Sequence, residues 1–311
     1  MTDAPAQTPV KTPVTLPRRP RGVQESRGYR VFQVVNTVVL LGVVVVTLYP
    51  FVNIVAQSFS DETSIRSGQV NLLPKGFNTT TYQLVMSDGL FWRNYGNTVV
   101  YTAVATFIAI VLTTMYAYVL SKRELRGRGV LIGIAVFTMF FNGGLIPNYV
   151  LITSLGLKNT LWAIVLPNAI SVFNLLVMKS FFENMPRELE EAAQIDGLST
   201  YGILWRIVLP LSKAVVATMT LFYAVSFWNS WFAGFLYMDR AELFPVTVYL
   251  RNLILGAETA SSTGGAAADL SQIASNIQSV TIVLTVLPIL LVYPFIQRYF
   301  VSGVMLGSVK Q

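Results

Sequence analysis

The chain has 311 residues, of which 53% are hydrophobic and only 12% are charged, with a formal net charge of +7. Soluble domains carry about 25% charged residues, so this composition indicates a membrane protein. The chain contains neither cysteine nor histidine, which excludes disulfides, thiolate metal sites, imidazole bases and the Ser-His-Asp arrangement.

The first predicted elements are a tail and a membrane-spanning helix. Residues 1–30 contain five prolines and almost no large apolar residue, which favours a disordered basic tail over a domain. Residues 31–55 form a long apolar run, and a helix needs about 20 apolar residues to cross the hydrocarbon core. We therefore assign the first transmembrane helix to 31–56 and an extracytoplasmic segment to 57–94.

The rest of the chain predicts five more spans and hence an all-α polytopic membrane protein with six transmembrane helices. The apolar runs lie near 96–120, 130–152, 160–182, 213–238 and 277–300. Prolines 50, 147, 167, 288 and 294 fall in or near spans. Each proline lacks a backbone N–H, so kinks are expected there.

The distribution of Lys and Arg predicts the orientation. Sixteen of the 22 basic residues fall in the alternate segments 1–30, 121–129, 179–213 and 298–311. The segments 57–94, 153–159 and 239–276 hold the other six. The positive-inside rule then places both termini in the cytoplasm, and the basic excess is explained without nucleic acid.

The connection before the fifth span, residues 183–212, is the most unusual loop. Its acidic residues, Glu188 among them, would each cost about 3 kcal/mol at mid-bilayer, so the segment cannot span. It predicts a helix, a break and a second helix. Pro186 suits the first helical turn, Gly197 is a natural stop, and Ser199 can cap the second helix.

Residue spacing on the first of these helices predicts one shallow face. Leu189, Ala192 and Ala193 lie at i, i+3 and i+4, and the two alanines would let another backbone approach closely. Asp196 opposes the helix dipole, so it either hydrogen-bonds across the Gly197 turn or serves a partner. From the residues alone, the loop is either a plain surface hairpin or a docking surface.

The spacing within this loop matches a known pattern. Glu191-Ala192-Ala193, Gly197, Ile207, Leu209 and Pro210 fit E-A-A, three residues, G, nine residues, I-x-L-P. The segment resembles the EAA loop of binding-protein-dependent ABC importer permeases. The resemblance extends from about residue 90 to the end, and "NGGLIPNYVLITSLGLKNTLWAIVLPNAISVFN" and "FYAVSFWNSWFAGFLY" are similar to a carbohydrate branch that handles oligosaccharides and polysaccharide fragments.

This resemblance implies the ABC importer type I permease fold in a bacterial inner membrane, with a core at 95–300. It implies that the 183–212 loop, with Asp196 included, forms the coupling helix that docks on an ATPase. The implied partners are two ATPase subunits that bind ATP-Mg, a second permease expected to be a different chain, and a sugar-binding protein. The outer loop at 239–276 would meet that binding protein, and the cytoplasmic tail at 301–311 would reach the ATPases.

The chain itself shows no motor and no cofactor site. It has no G-x-x-x-x-G-K-[ST] phosphate loop, so ATP would be hydrolysed by a separate subunit and this chain would not be an enzyme. An ion-coupled secondary transporter is the main rival, but the span cores lack the charged residues that such proteins use. A membrane enzyme, or a permease for another solute class, also remains as an alternative.

Neutral polar residues within the spans suggest a substrate path. The amides in or near spans are those of Asn142, Asn148, Asn168, Asn174 and Asn229, and their aromatic neighbours are Tyr223, Phe227, Trp228 and Trp231. Amides and rings suit sugars, although interhelical amides and interfacial tryptophans are common structural features. The sequence-based candidates for the path are Asn174, Trp228 and Asn229.

Overall fold

The computed structural model describes residues 27–262, 276–291 and 294, and within these ranges its regular structure is helical, without strands. The helices are α1 (Arg27–Ser58), α2 (Glu62–Arg66), α3 (Thr80–Ser87), α4 (Gly89–Ser121), α5 (Arg128–Phe140), α6 (Leu145–Ser154), α7 (Trp162–Val165), α8 (Val172–Glu183), α9 (Arg187–Ile195), α10 (Thr200–Ile203), α11 (Leu209–Leu211), α12 (Lys213–Trp228), α13 (Trp231–Tyr237), α14 (Val246–Ser262) and α15 (Asn276–Leu291). Leu166–Asn168 and Ala241–Leu243 are 3₁₀ turns, and Leu204–Val208 is a π-helical turn.

The chain divides into two compact units, residues 1–51 and 52–311. The described part of the first unit is the beginning of α1, a 32-residue helix that continues through Pro50 without a break. The helix therefore does not end at Pro50, where the sequence predicted a kink. Because α1 begins at Arg27, residues 27–30 are helical rather than part of a disordered tail, and the rest of that tail lies outside the described residues.

The central helix of the second unit is α4, which packs against α8 and α12. Its 33 residues match the span predicted at 96–120. Ala105, Ala109 and Ala117 are fully buried along one side of the helix. Small side chains at a helix contact let two backbones approach closely, which is how membrane helices gain van der Waals contact without a hydrophobic driving force.

Three of the predicted spans are broken rather than straight. Within 130–152, α5 and α6 meet at 112°. Within 160–182, the helical turns at Trp162–Asn168 meet α8 at 51°, and within 213–238 the chain breaks between α12 and α13. The first break is fixed by Gly144, whose φ of 93° is a conformation that side chains with a Cβ rarely adopt.

The described helices have the apolar character of a polytopic membrane protein, as predicted. Two of them are long and apolar enough to cross a membrane alone, and up to five spans result if each bent pair counts as one. The sixth predicted span starts as α15, while the rest of 277–300 apart from residue 294, and the tail at 301–311, fall outside the described residues.

Candidate functional site

The first helix of the 183–212 loop, α9, ends at Ile195, and Gly197 forms the stop that follows it, as the sequence predicted. The N–H of Leu198 donates to the carbonyl of Ala193, and the N–H of Gly197 donates to that of Gln194, both at 3.0 Å. Gly197 itself has a φ of 81°. These are the bonds of a Schellman motif, in which a left-handed residue satisfies the last helical carbonyls.

The second half of the loop is capped by Ser199, also as predicted, and is less regular than a simple helix. The Ser199 hydroxyl accepts a hydrogen bond from the N–H of Gly202 at 3.3 Å. The π-helical turn at Leu204–Val208 comes next and leads into Pro210. Because Pro210 has no N–H, it cannot donate to the carbonyl one turn earlier. The segment 200–211 then meets α12 at 86°.

The predicted face of small residues is divided in the structure. Ala193 is only 3% exposed and packs in a core cluster with Tyr118, Phe182 and Ile203. Ala192 and Leu189 are exposed. The two alanines therefore do not share one exposed face, because a 100° step separates neighbouring helical positions and Ala193 packs in the core.

The exposed side of the loop is apolar and acidic. Ile195 is 87% exposed, and Tyr201 and Trp205 are exposed on the segment that follows. Glu191 and Asp196 are exposed as well. Asp196 is the C-cap residue of α9, and its carboxylate forms no ion pair or side-chain hydrogen bond with the rest of the described chain.

The inner side of the loop is held by ion pairs that the sequence reasoning did not identify. Glu190 accepts hydrogen bonds from the ammonium of Lys122 and, at 3.3 Å, from the hydroxyl of Tyr118. Arg187 pairs with Glu124 at 3.1 Å. The pKa of Glu124 is lowered, first by a backbone hydrogen bond and then by the nearby Arg187 and Lys122 charges. We call Lys122, Glu124, Arg128, Glu183, Arg187 and Glu190 the ion-pair cluster.

The same cluster ties the ends of α5 and α8 together. Arg128, the first residue of α5, pairs with Glu183, the last residue of α8, and Lys179 contacts Glu183 at 2.8 Å. The sequence contained a signal for this contact. It predicted a basic loop at 122–128 and an acidic segment at 183–191 on the same side of the membrane, and loops of opposite charge attract each other.

The three sequence-based path candidates have separate roles. The indole N–H of Trp228 donates to the carbonyl of Thr285 at 3.0 Å, and its ring meets Tyr95 edge-on. Asn229 is the C-cap residue of α12, and its side-chain amide donates to the carbonyl of Val225 at 2.9 Å. Asn174 is buried near the start of α8. Among the described residues, no side-chain hydrogen bond or ring contact joins Asn174 to Trp228 or Asn229.

The other amides named from the sequence do come together. Asn142, Asn148 and Asn168 line one cavity of about 750 Å³ at the break between α5 and α6. The side-chain oxygen of Asn142 accepts hydrogen bonds from the N–H of Gly144 at 2.9 Å and from the amide of Asn148 at 3.2 Å. We call this space the amide cavity.

Beside the amide cavity, two segments that were both predicted to lie outside contact each other through Lys158, Asn159 and Asp239. We call this contact the dock. Lys158 pairs with Asp239 at 3.0 Å, and the backbone N–H of Asp239 donates to the side chain of Asn159 at 2.7 Å. The pKa of Asp239 is lowered by the hydrogen bonds that its carboxylate accepts from Lys158 and from the side-chain amide of Asn159, and the pKa of Lys158 is raised by its hydrogen bonds to Tyr149 and Asp239. The rings of Tyr149 and Tyr237 stack at 6.2 Å beside the dock.

Comparison with known proteins gives consistent matches over most of the chain. A family model described as "Binding-protein-dependent transport system inner membrane component" matches residues 129–306, which include the amide cavity and the 183–212 loop. Protein LplC of Bacillus subtilis (strain 168) is 41% identical over 288 residues, covering 93% of this chain and 98% of its own length.

Two further matches carry descriptions of what they transport. The polygalacturonan/rhamnogalacturonan transport system permease protein YtcP of the same bacterium is 38% identical, covering 90% of this chain and 99% of its own. A chain in the crystal structure of a bacterial ABC transporter involved in the import of the acidic polysaccharide alginate aligns with a TM-score of 0.78 and 34% identity. That alignment covers 88% of this chain and 98% of the solved one.

Proposed function

This chain belongs to the family of binding-protein-dependent transport system inner membrane components, and from that membership we propose that it is the permease subunit of an ATP-driven oligosaccharide importer. Members of this family are the non-catalytic membrane components of ABC transporters. ATP-Mg would bind to a separate ATPase, which fits a sequence without a phosphate loop.

The proposed substrate class is carbohydrate, specifically oligosaccharides derived from polysaccharides. Its support is the substrate named for two relatives above 30% identity, polygalacturonan or rhamnogalacturonan for one and alginate for the other. A more distant relative, at 25% identity, is an arabinooligosaccharide permease. The neutral amides and aromatic rings of the broken helices suit polyol solutes, which have both hydrogen-bonding groups and apolar faces.

The 183–212 loop is proposed to be the coupling element that an ATPase grips. The observation that best supports this proposal is that the two faces of α9 differ. One face is exposed at Glu191 and Ala192 and ends beside Asp196, and the other is buried at Ala193. Ile207, Leu209 and Pro210 connect that inner side to α12. A helix that is open on one face and fixed to the spans on the other can transmit a rigid-body displacement.

The transport cycle follows from that construction. Closure of two ATPases on ATP would move α9, and the Glu190–Lys122 pair would pass the displacement to the end of α4. The Ile203, Leu204 and Val208 side chains, buried in the same core, would pass it to α12. The path would then open outward beneath a loaded binding protein docked on the segment 239–276, and hydrolysis would reset it.

The proposed assembly contains two permeases, two ATPases and an extracytoplasmic binding protein, with both termini of this chain in the cytoplasm. The contacts within the structure support one part of this orientation. Lys122–Glu190 joins two segments predicted inside, and Lys158–Asp239 joins two predicted outside. The absolute sidedness rests on the positive-inside rule.

Gly197 offers a direct test of docking. Nothing lies within 4 Å of the position that a Cβ would take, so the chain itself leaves room for a side chain there. In Gly197→Trp, a bulky group would project into a docked ATPase, and we expect loss of ATPase copurification and of ATP-dependent uptake.

Gly197→Asn is the matched control, because asparagine tolerates the left-handed conformation that Gly197 has. We expect it to retain copurification and uptake, with both variants inserting normally in the membrane. Normal uptake by Gly197→Trp would contradict the coupling role.

A further inference from the structure

The amide cavity lies where three broken helical segments meet. Its walls come from the break between α5 and α6, from the 3₁₀ turn that precedes α8, and from α13. Phe232 and Tyr237 of α13 supply aromatic rings opposite the amides of Asn142, Asn148 and Asn168. The residues that line it include no charged side chain.

Helix lengths place this cavity within the membrane rather than beyond it. The helices α5 and α8 have 13 and 12 residues and are paired at one end by Arg128 and Glu183. At about 1.5 Å per residue their other ends lie about 20 Å and about 18 Å from that pair. The hydrocarbon core is about 30 Å thick, so both breaks lie at membrane depth if the pair sits at the surface.

Backbone at that depth must be satisfied by protein or water. Residues 141–144 are exposed in the chain, and the N–H groups of Asn142 and Gly143 bond to no acceptor among the described residues. Irregular backbone within a membrane is tolerated only where it is covered by protein or lines a water-filled cavity. The break therefore faces away from lipid.

We propose that the amide cavity is a sugar-binding station of the translocation path, which holds one ring of an oligosaccharide by its hydroxyls. Its volume of about 750 Å³ accommodates a sugar ring with water. Asn148 and Asn168 are exposed and supply donors and acceptors. The exposed ring of Phe232 covers the apolar face of a pyranose, while Tyr237, which is stacked on Tyr149, forms part of the wall. The neutral lining suits the hydroxyls, which neutral and acidic sugars share.

This inference rests on the proposed function and concerns a different place from the sequence-based path candidates, which stay predictions. Trp228 borders a different cavity of about 590 Å³ that is almost wholly apolar. The amide of Asn229 is already bonded to its own helix. The amide cavity instead places three amides on one space, and among the described residues the side chain of Asn168 has no hydrogen-bond partner.

A cysteine-labelling experiment tests the station, and the chain is suited to it because it contains no native cysteine. Asn148→Cys and Asn168→Cys are introduced singly into the complete importer in proteoliposomes. Each is treated with a charged, membrane-impermeant thiol reagent, with and without saturating trigalacturonate or arabinotriose. Ser154→Cys, exposed on the same helix α6 as Asn148 but outside the cavity lining, is the control.

We expect both cavity cysteines to react, and a sugar concentration of about ten times its Kd to slow their labelling by about ten-fold, because the bound sugar shields the thiols. Ser154→Cys is expected to react equally with and without sugar. Absence of labelling at the cavity positions, as when lipid or a partner helix fills the space, overturns the proposal. Labelling without protection also overturns it.

Uptake by the same proteoliposomes separates this inference from the proposed function. ATP-dependent uptake without protection of the cavity cysteines rejects the station alone. An assembly that takes up neither sugar rejects the proposed function and the station together. As a second measurement, Asn148→Leu is expected to raise the apparent KM for uptake by about ten-fold, while Ser154→Leu, outside the cavity lining, leaves KM unchanged.

Discussion

The 183–212 loop and the amide cavity both hold separate chain segments together, but with different kinds of contact. At the 183–212 loop the contacts between segments are ion pairs, as between Glu190 and Lys122. At the amide cavity they are neutral, as between Asn142 and Asn148. Charged side chains are tolerated where water screens them, whereas amides and aromatic rings are less unfavourable than charges within the membrane.

On the proposed function, this difference would let one chain join a motor to a substrate path. The loop end has an outer surface for another protein and an inner surface of charges and core side chains. The cavity end keeps hydrogen-bonding groups open, as at Asn168. On the proposed function, movement would be received at the first end, and a solute would be held at the second, about 20 Å away along α5.

The largest predicted effect comes from overfilling the core beneath the loop. Ala193→Leu adds a larger side chain where Ala193 is 3% exposed, and we expect about 1–3 kcal/mol of destabilisation from overpacking. Ala192→Leu, on the exposed side, is the control and is expected to leave stability unchanged while weakening ATPase binding. Thermal unfolding of the solubilised complex measures both, and equal stability losses would contradict the division of this helix.

The next effect concerns the buried hydroxyl of Tyr223 in α12, which contacts α4 and the residue before α8. The hydroxyl of Tyr223 contacts that of Thr113 at 2.6 Å and accepts from the N–H of Ser171 at 2.8 Å. In Tyr223→Phe both groups lose a buried partner, and we expect about 1–2 kcal/mol of destabilisation. Phe222→Leu, at an exposed neighbouring position, is the control. Denaturation of the solubilised protein measures the difference, and a Tyr223→Phe variant as stable as the control would contradict it.

A charge-reversal cycle tests the ion-pair cluster. Lys122→Glu and Glu190→Lys each place like charges together at partly buried positions. We expect each single variant to lose about 1 kcal/mol of stability and to transport less solute per ATP hydrolysed. The double variant is expected to recover both, and the measurement is the ratio of uptake to hydrolysis. Single variants with a normal ratio would remove the pair from the coupling route.

The smallest effect is expected at the dock beside the amide cavity. Because Lys158 and Asn159 hold the pKa of Asp239 below its ordinary 3.8, the contribution of Asp239 is present above that pH and is lost as the pH falls through the lowered value. Asp239→Asn removes the titration, so wild type and variant are expected to converge in thermal midpoint at acid pH. A gap that widens on acidification would contradict this sign.

The sequence determined the class of the molecule and the local construction of the loop. Apolar runs predicted the helices, and Gly197 and Ser199 predicted where α9 ends and where α10 begins. These features depend on neighbouring residues, because helix stops and caps are set by bonds within a few positions. The family resemblance was likewise carried by short-range spacing.

Only the tertiary structure decided which face of α9 is open, how the predicted spans break, and which amides meet. Ala192 and Ala193 are identical in the sequence, and the core alone distinguishes them. Asn142 and Asn168 are far apart along the chain, and their meeting depends on a 112° turn between α5 and α6. Such contacts depend on the packing of whole helices, which the periodicity of a single segment does not encode.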